Sequence, residues 1–326
     1  MKKIILSVFL ILLFVGCGKS NELKKIEKEK FLFGTYIKMI VFSENKEVAD
    51  KAIEAAFNKI GEIDNKYNSK TRGSLIYKLN HSENKEIILD DEGVYLFKNI
   101  KKIYQISNKK YDITISPLLD LWGFGKKPRE TVPSESEIKE ALKKVDFSKV
   151  ILEGNKLILK DPVKEIDTGS FLKGYAIEKG KEVLKENGIK SGFITSVSSI
   201  AAIGEKPDQK PWKIGIQNPS NLQEILGIVK INDKSLGISG DYQIYVEIQG
   251  KKYHHIMDKS TGFPVKDKKL VVVIADSAFL ADMYSTAFFN MKTSDILRKS
   301  EELNVKILVI DSQNNIQTTK NFHLEQ

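Results

Sequence analysis

Helical and strand periodicities follow one another irregularly along this chain, and that irregularity excludes a regular βαβ fold. Apolar residues recur at three- and four-residue steps over residues 47–64 (Ala49, Ile53, Ala56, Phe57, Ile60, Ile63), which predicts a buried helical face. A second helix starts near Asp90-Asp91-Glu92, acids that suit a helix N-terminus, and buries Val94, Phe97, Ile100, Ile103 and Tyr104. Ser134-Glu-Ser-Glu137 is a capping box, and a helix from Lys173 stops at Asn187-Gly188. Strands read at 36–42, at 150–152 and 157–159 around a Gly154-Asn155 turn, and then at 193–197, 212–217, 225–231, 244–248, 270–275 and 305–310. Helices at 277–290 and 294–303 interrupt that series. The mixture assigns the chain to the α+β class, as a single compact domain of mixed sheets with packed helices that can divide into two lobes.

The 326 residues are 41% hydrophobic and 29% charged, enough material for a sizeable core. The formal charge is +9, with lysines spread along the chain among Glu and Asp. No basic and aromatic cluster stands out, which excludes a nucleic-acid groove. Met-Lys-Lys, an apolar run over 4–15 and Gly16-Cys17-Gly18 form a secretory signal too short for an ordinary spanning helix. With the sole cysteine at its end, this start resembles a bacterial lipoprotein signal: 1–16 are removed and Cys17 carries the lipid. The other reading is an ordinary signal peptide with a coincidental Cys. Residues 17–30 are then a polar tether, and 31–326 the folded domain, held outside the cytoplasm on a membrane.

The most informative segment is Lys252-Tyr-His-His-Ile-Met-Asp-Lys-Ser-Thr-Gly-Phe-Pro264, with two of the chain's four histidines side by side. Either His, with Asp258, supplies a general base; in an alternating strand one of them, sharing a face with Ile256, points away from the site. Downstream, Asp282 and Thr286 lie four apart, one face of a helix and a plausible pair of hard oxygen ligands. They also suit a solvated face, although Leu280, Ala281, Ala287, Phe288 and Phe289 leave that helix little polar surface. Asp167-Thr-Gly-Ser-Phe-Leu-Lys173-Gly174 is a turn into a helix, either a plain helix start or an anion site with a mobile cation. Asp112, Ser116 and Trp122 line a pocket for a ring, or else a loop at the edge of the core.

In order along the chain stand Gly34-Thr35, Tyr111-Asp112-Ile-Thr114, Pro117-Leu118, Trp122-Gly123-Phe124, Asp167-x-Gly169-x-x-x-Lys173-Gly174-Tyr175-Ala176, Ser239-Gly240-Asp241-Tyr242, Tyr253-His-His255-Ile-Met-Asp258, Thr261-Gly262-x-Pro264 and Ala281-Asp282-x-x-Ser-Thr286-Ala287. The set resembles the FAD:protein FMN transferases, the ApbE-like flavin transferases, from about Phe33 to Phe289. The resemblance implies that Asp282, Thr286 and the backbone carbonyl of Ser170 hold Mg2+. It implies contacts to the substrate FAD from Lys110, Tyr111, Asp112, Asp167 and Lys173, and also from Phe33, Tyr67 and Met257. His255 becomes the general base, with Asp258 beside it. A Thr or Ser hydroxyl of an acceptor protein, in a membrane respiratory complex, would take FMN and release AMP. Hydrolysis of FAD by water at the same site and a non-catalytic flavin-binding lipoprotein are the competing readings. The family often has a Gly-Gly-Asp run after the central strand; here the stretch is Ser196-Val-Ser-Ser-Ile200, and Lys259 stands where the family has Pro.

Overall fold

The computed structural model describes residues 23–125 and 129–325; the signal segment, Cys17 and the first part of the tether lie outside the described residues. Strand β1 (Lys24–Leu32) turns at Phe33-Gly34, both at positive φ (53° and 70°), into β2 (Thr35–Ser43). The expected tether is therefore shorter than 17–30. From Lys24 onward it is a strand, paired with β2 from Lys24↔Ser43 to Leu32↔Thr35. Its charges disguise it because β1 is a sheet edge, where Ile26 alone is buried and lysines are tolerated.

Helix α1 (Lys46–Tyr67) is capped by the Asn45 side chain, buries the predicted apolar stripe and runs three residues past Asp64. Helix α2 (Leu75–His81), capped by Ser74, and β3 (Glu86–Ile88) occupy stretches with no sequence expectation. Then come α3 (Asp91–Ile106), capped by Asp90, α4 (Ser116–Leu121), with Pro117 in its first turn, and α5 (Glu135–Leu142), where both bonds of the capping box form. The hairpin β4 (Val150–Glu153) and β5 (Lys156–Leu159) turns at Gly154, and α6 (Leu172–Glu186) stops before Gly188 at φ +83°.

The second half supplies β6 (Ser191–Thr195), β7 (Ser199–Ile203), β8 (Trp212–Asn218), β9 (Asn221–Ile231) and β10 (Ser235–Gly240). Next are β11 (Tyr245–Ile248), β12 (Lys251–His254), β13 (Met257–Asp258), β14 (Phe263–Pro264) and β15 (Lys268–Ala275). Helices α7 (Ala278–Phe289) and α8 (Thr293–Glu302) precede β16 (Lys306–Asp311) and β17 (Ile316–Thr318).

One antiparallel sheet, ordered β1-β2-β6-β7-β10-β15-β16-β17, organises the molecule. Its central strands are apolar on both faces because both are covered. Ala201, Ile203, Val271 and Val273 face the core under α1, α6 and α7, while Ile200, Ala202, Leu236, Val272 and Ile274 pack under the β8–β9 hairpin. A smaller cluster, Leu118, Trp122, Ile138, Ala141, Ile248 and Met257, joins α4, α5 and the β11–β12 hairpin as a lesser lobe.

Helix α7 seats on β10 at Gly237, where an added Cβ would lie 2.0 Å from the Ala281 carbonyl oxygen. Gly237→Ala is therefore expected to destabilise the protein by about 1–3 kcal/mol. A urea-unfolding midpoint equal to wild type would show that α7 does not depend on this close approach.

Candidate active site

A cavity of about 580 Å³ opens where the end of β10, the start of α6 and one face of α7 converge. Asp282 points into the junction and is 5% exposed. Its Oδ2 accepts the Gly174 N–H at 2.9 Å, and its Oδ1 accepts the Ser199 hydroxyl at 2.9 Å. Gly174 is required here: a Cβ would stand 2.4 Å from Asp282 Cβ, so α6 could not approach α7. Burial raises the pKa of the Asp282 carboxyl, opposed by the Lys173 charge and by these two hydrogen bonds. One turn on, Thr286 also lines the cavity, with its Oγ1 3.4 Å from Ser239 Oγ. The helical spacing thus brings carboxylate and hydroxyl to one wall, as their separation of four predicted.

The start of α6 forms the next wall. Asp167 Oδ1 accepts the Gly169 N–H at 2.7 Å, and the Asp167 N–H donates to Ile113. Ser170 Oγ lies 2.8 Å from the Tyr111 hydroxyl, and Lys173 Nζ donates to Ser198 Oγ at 2.5 Å. Tyr111, Asp112, Lys110 and Met257 line the cavity as well. The Asp112 carboxylate is already occupied, accepting from Thr114 N, Thr114 Oγ1, Phe147 N and Lys259 Nζ. Lys259 thus has a structural partner, a buried carboxylate that it neutralises.

The two histidines separate. His254 turns into the core, its Nε2 2.6 Å from the Val265 carbonyl oxygen and its ring against Phe289. His255 lines the cavity, with Nδ1 3.2 Å from the Ile244 carbonyl oxygen. Nδ1–H donates there, which leaves Nε2 as the unprotonated, basic nitrogen. Enclosure by the protein lowers its pKa to about 4; the Ile244 bond opposes this, and His254, Lys173 and Lys70 add to the lowering. His255 is therefore neutral near pH 7.

Several expected residues take other places. Asp258 does not bond His255: its Oδ1 accepts from Ser260 N and Oγ, and stands 3.6 Å from Lys110 Nζ, so it orders the turn and holds that lysine at the wall. Phe33 and Tyr67 are not on the cavity wall. Phe33 N–H donates to Asp64 Oδ2, and the buried Tyr67 hydroxyl donates to Asp90. Trp122, expected to line a pocket, is fully buried, and its Nε1–H bonds the Gly262 carbonyl oxygen at 2.8 Å. An indole that large with one polar atom serves the core of the lesser lobe. Conversely, Lys70, the stacked Tyr77 and His81 rings (centroids 4.0 Å apart), Ser198 and Ser239 line the cavity without having been singled out as binding residues.

The family model described as the ApbE family matches residues 33–309. The chain belongs to the ApbE family. Among relatives, it is 25% identical over 306 residues to a FAD:protein FMN transferase of Vibrio cholerae, covering 92% of this chain and 91% of that one. It is 29% identical to one of Buchnera aphidicola, over 95% and 92%. The ApbE protein of Thermotoga maritima superposes with a TM-score of 0.83 at 27% identity, over 91% and 97% of the two chains. With these ApbE relatives the chain is a transferase.

The site yields a direct test by NMR. The His255 ring is expected to titrate with a midpoint near 4, well below the 6.5 of an unperturbed imidazole. A midpoint at 6 or above would mean that the cavity wall does not enclose this ring.

Proposed function

We propose that this ApbE-family chain transfers the FMN half of FAD to a Thr or Ser hydroxyl of an acceptor protein, with Mg2+, releasing AMP. The observation that carries the reading is one cavity shared by a buried carboxylate, a lysine and an uncharged histidine: Asp282, Lys173 and His255. The names of the relatives supply the substrate class, since those proteins are FAD:protein FMN transferases.

The donor set fits a hard cation. Asp282 and Thr286 offer a carboxylate and a hydroxyl to the cavity that Ser170 also lines, and the Ser170 backbone carbonyl is the third expected ligand. Among the described residues no cluster of three His, Cys, Asp or Glu side chains forms, so a nitrogen and sulfur cage of the zinc type is not available there. Mg2+ keeps few protein ligands and completes its shell with phosphate oxygens and water. When bound, it neutralises charge on the pyrophosphate.

The chain's own residues do the rest. His255 Nε2 takes the proton of the incoming hydroxyl. The acceptor oxygen bonds to the FMN-side phosphorus, the bond from that phosphorus to the bridging oxygen breaks, and AMP leaves with that oxygen. Lys173 and Lys70 oppose the negative charge of the phosphates. Positioning and charge neutralisation are what phosphoryl transfer requires of a protein.

The N-terminal sequence supports an extracytoplasmic lipoprotein, and the acceptors proposed for it are membrane respiratory proteins that come to carry covalent FMN. With β1 beginning at Lys24, a lipid on Cys17 would leave seven residue steps, no more than about 25 Å of extended chain. The catalytic domain would work close to the membrane surface. No helix among the described residues is long and apolar enough to cross it.

Asp282→Ala is expected to slow AMP release by about a hundredfold or more, since several kcal/mol of charge stabilisation go with the cation. AMP release should require the acceptor, with flavin fluorescence moving onto it. AMP and free FMN without acceptor would make the protein a hydrolase. FAD bound with no AMP under either condition would make it a binding protein.

A further inference from the structure

We infer that the Ser198-Ser199 pair, at the turn joining β6 to β7, is the positioning device that holds Asp282 and Lys173 for the transfer proposed above. The inference rests on that reading and assigns the two serines roles within it.

Ser199 is wholly buried, and its hydroxyl donates to Asp282 Oδ1 at 2.9 Å. Together with the Gly174 N–H on Oδ2, it places one donor on each carboxylate oxygen. The two donors come from different elements, β7 and α6, so the plane of the carboxylate is set by the packing of the sheet against the helix. Both donors are neutral, so neither supplies the positive charge a cation would bring. Ser198 acts on the other group: its Oγ accepts from Lys173 Nζ. A lysine has four rotatable bonds, and this contact keeps its ammonium at the cavity wall beside Asp282 instead of in solvent.

The turn that presents these hydroxyls is braced independently of both partners. Ser196 N–H donates to the Ser199 carbonyl at 2.9 Å, Ser199 N–H donates to Ser196 Oγ at 3.2 Å, and Ile238 N–H donates to the Ser198 carbonyl at 2.8 Å. Neither side-chain hydroxyl is spent on maintaining the turn. Removing either one therefore releases its partner while the backbone stays in place.

Substitution in the full-length chain separates the two roles. The Mg2+ concentration that half-saturates its effect on FAD binding is read from flavin fluorescence. In Ser199→Ala that midpoint should rise about tenfold or more, the scale of one hydrogen bond to a charged group. Ser199→Thr, which keeps the hydroxyl, should restore it. Ser198→Ala should leave the Mg2+ midpoint in place and instead weaken FAD binding at saturating Mg2+. An unchanged midpoint in Ser199→Ala overturns the inference. An equal rise in Ser199→Thr also overturns it, because the effect would then be packing at position 199. Wild-type FAD binding indifferent to Mg2+ would instead overturn the metal assignment of the proposed function, an outcome visible before any variant is made.

Discussion

The site depends on the crossing of α6 over α7 at Gly174. The missing side chain at 174 lets a backbone N–H reach a carboxylate that has left water, and Gly237 on the opposite side lets the same helix settle onto β10. A buried charge needs donors within hydrogen-bond distance or it takes up a proton. Asp282 obtains them because two glycines remove the steric obstacles to its helix. The remaining wall residues inherit their positions from that crossing: Thr286 one turn further along α7, Lys173 one residue before Gly174, and Ser199 on the strand beside β10.

Charge in the cavity is divided unevenly. Lys70, Lys110 and Lys173 stand around it, and Asp112, the other buried carboxylate on the wall, is neutralised by Lys259. Asp120, Glu165 and Asp167 also line the cavity, so its charge is mixed, and Lys173 is the cation that acts on Asp282. His255 is kept neutral by the same environment, since enclosure and nearby lysines both disfavour the imidazolium. An uncharged imidazole with Nε2 unprotonated is what the role proposed for His255 requires.

Much of the fold was legible in local pattern. The stripe from Ala49 to Ile63, the capping box at Ser134 and the stops at Gly154 and Gly188 are short-range effects, and each reappears in the structure. The stretch 24–30 misleads because an edge strand takes its stability from its partner and needs little apolar surface of its own. Tyr67 and Trp122 mislead for a related reason: an aromatic residue with a polar atom looks alike in sequence whether it faces a ligand or bonds an internal acceptor. Ser198 and Ser199 stood out only as a departure from the family pattern, since a serine carries no sign of which distant group its hydroxyl will meet.

The sequence by itself determined most of the longer helices and strands, the spacing of Asp282 and Thr286 on one helical face, and, through its ordered motifs, the family. The first two depend on residues within a few positions of one another, and each motif is itself a short run. Only the tertiary structure decided that Asp282 would be held by Gly174 and Ser199, that His254 would turn into the core against Val265 and Phe289, and that Asp112 would be spent on Lys259. The bonds of Asp282 to Gly174 and Ser199 span 108 and 83 positions, and that of Asp112 to Lys259 spans 147. They follow from sheet order and helix crossing, which no local periodicity encodes.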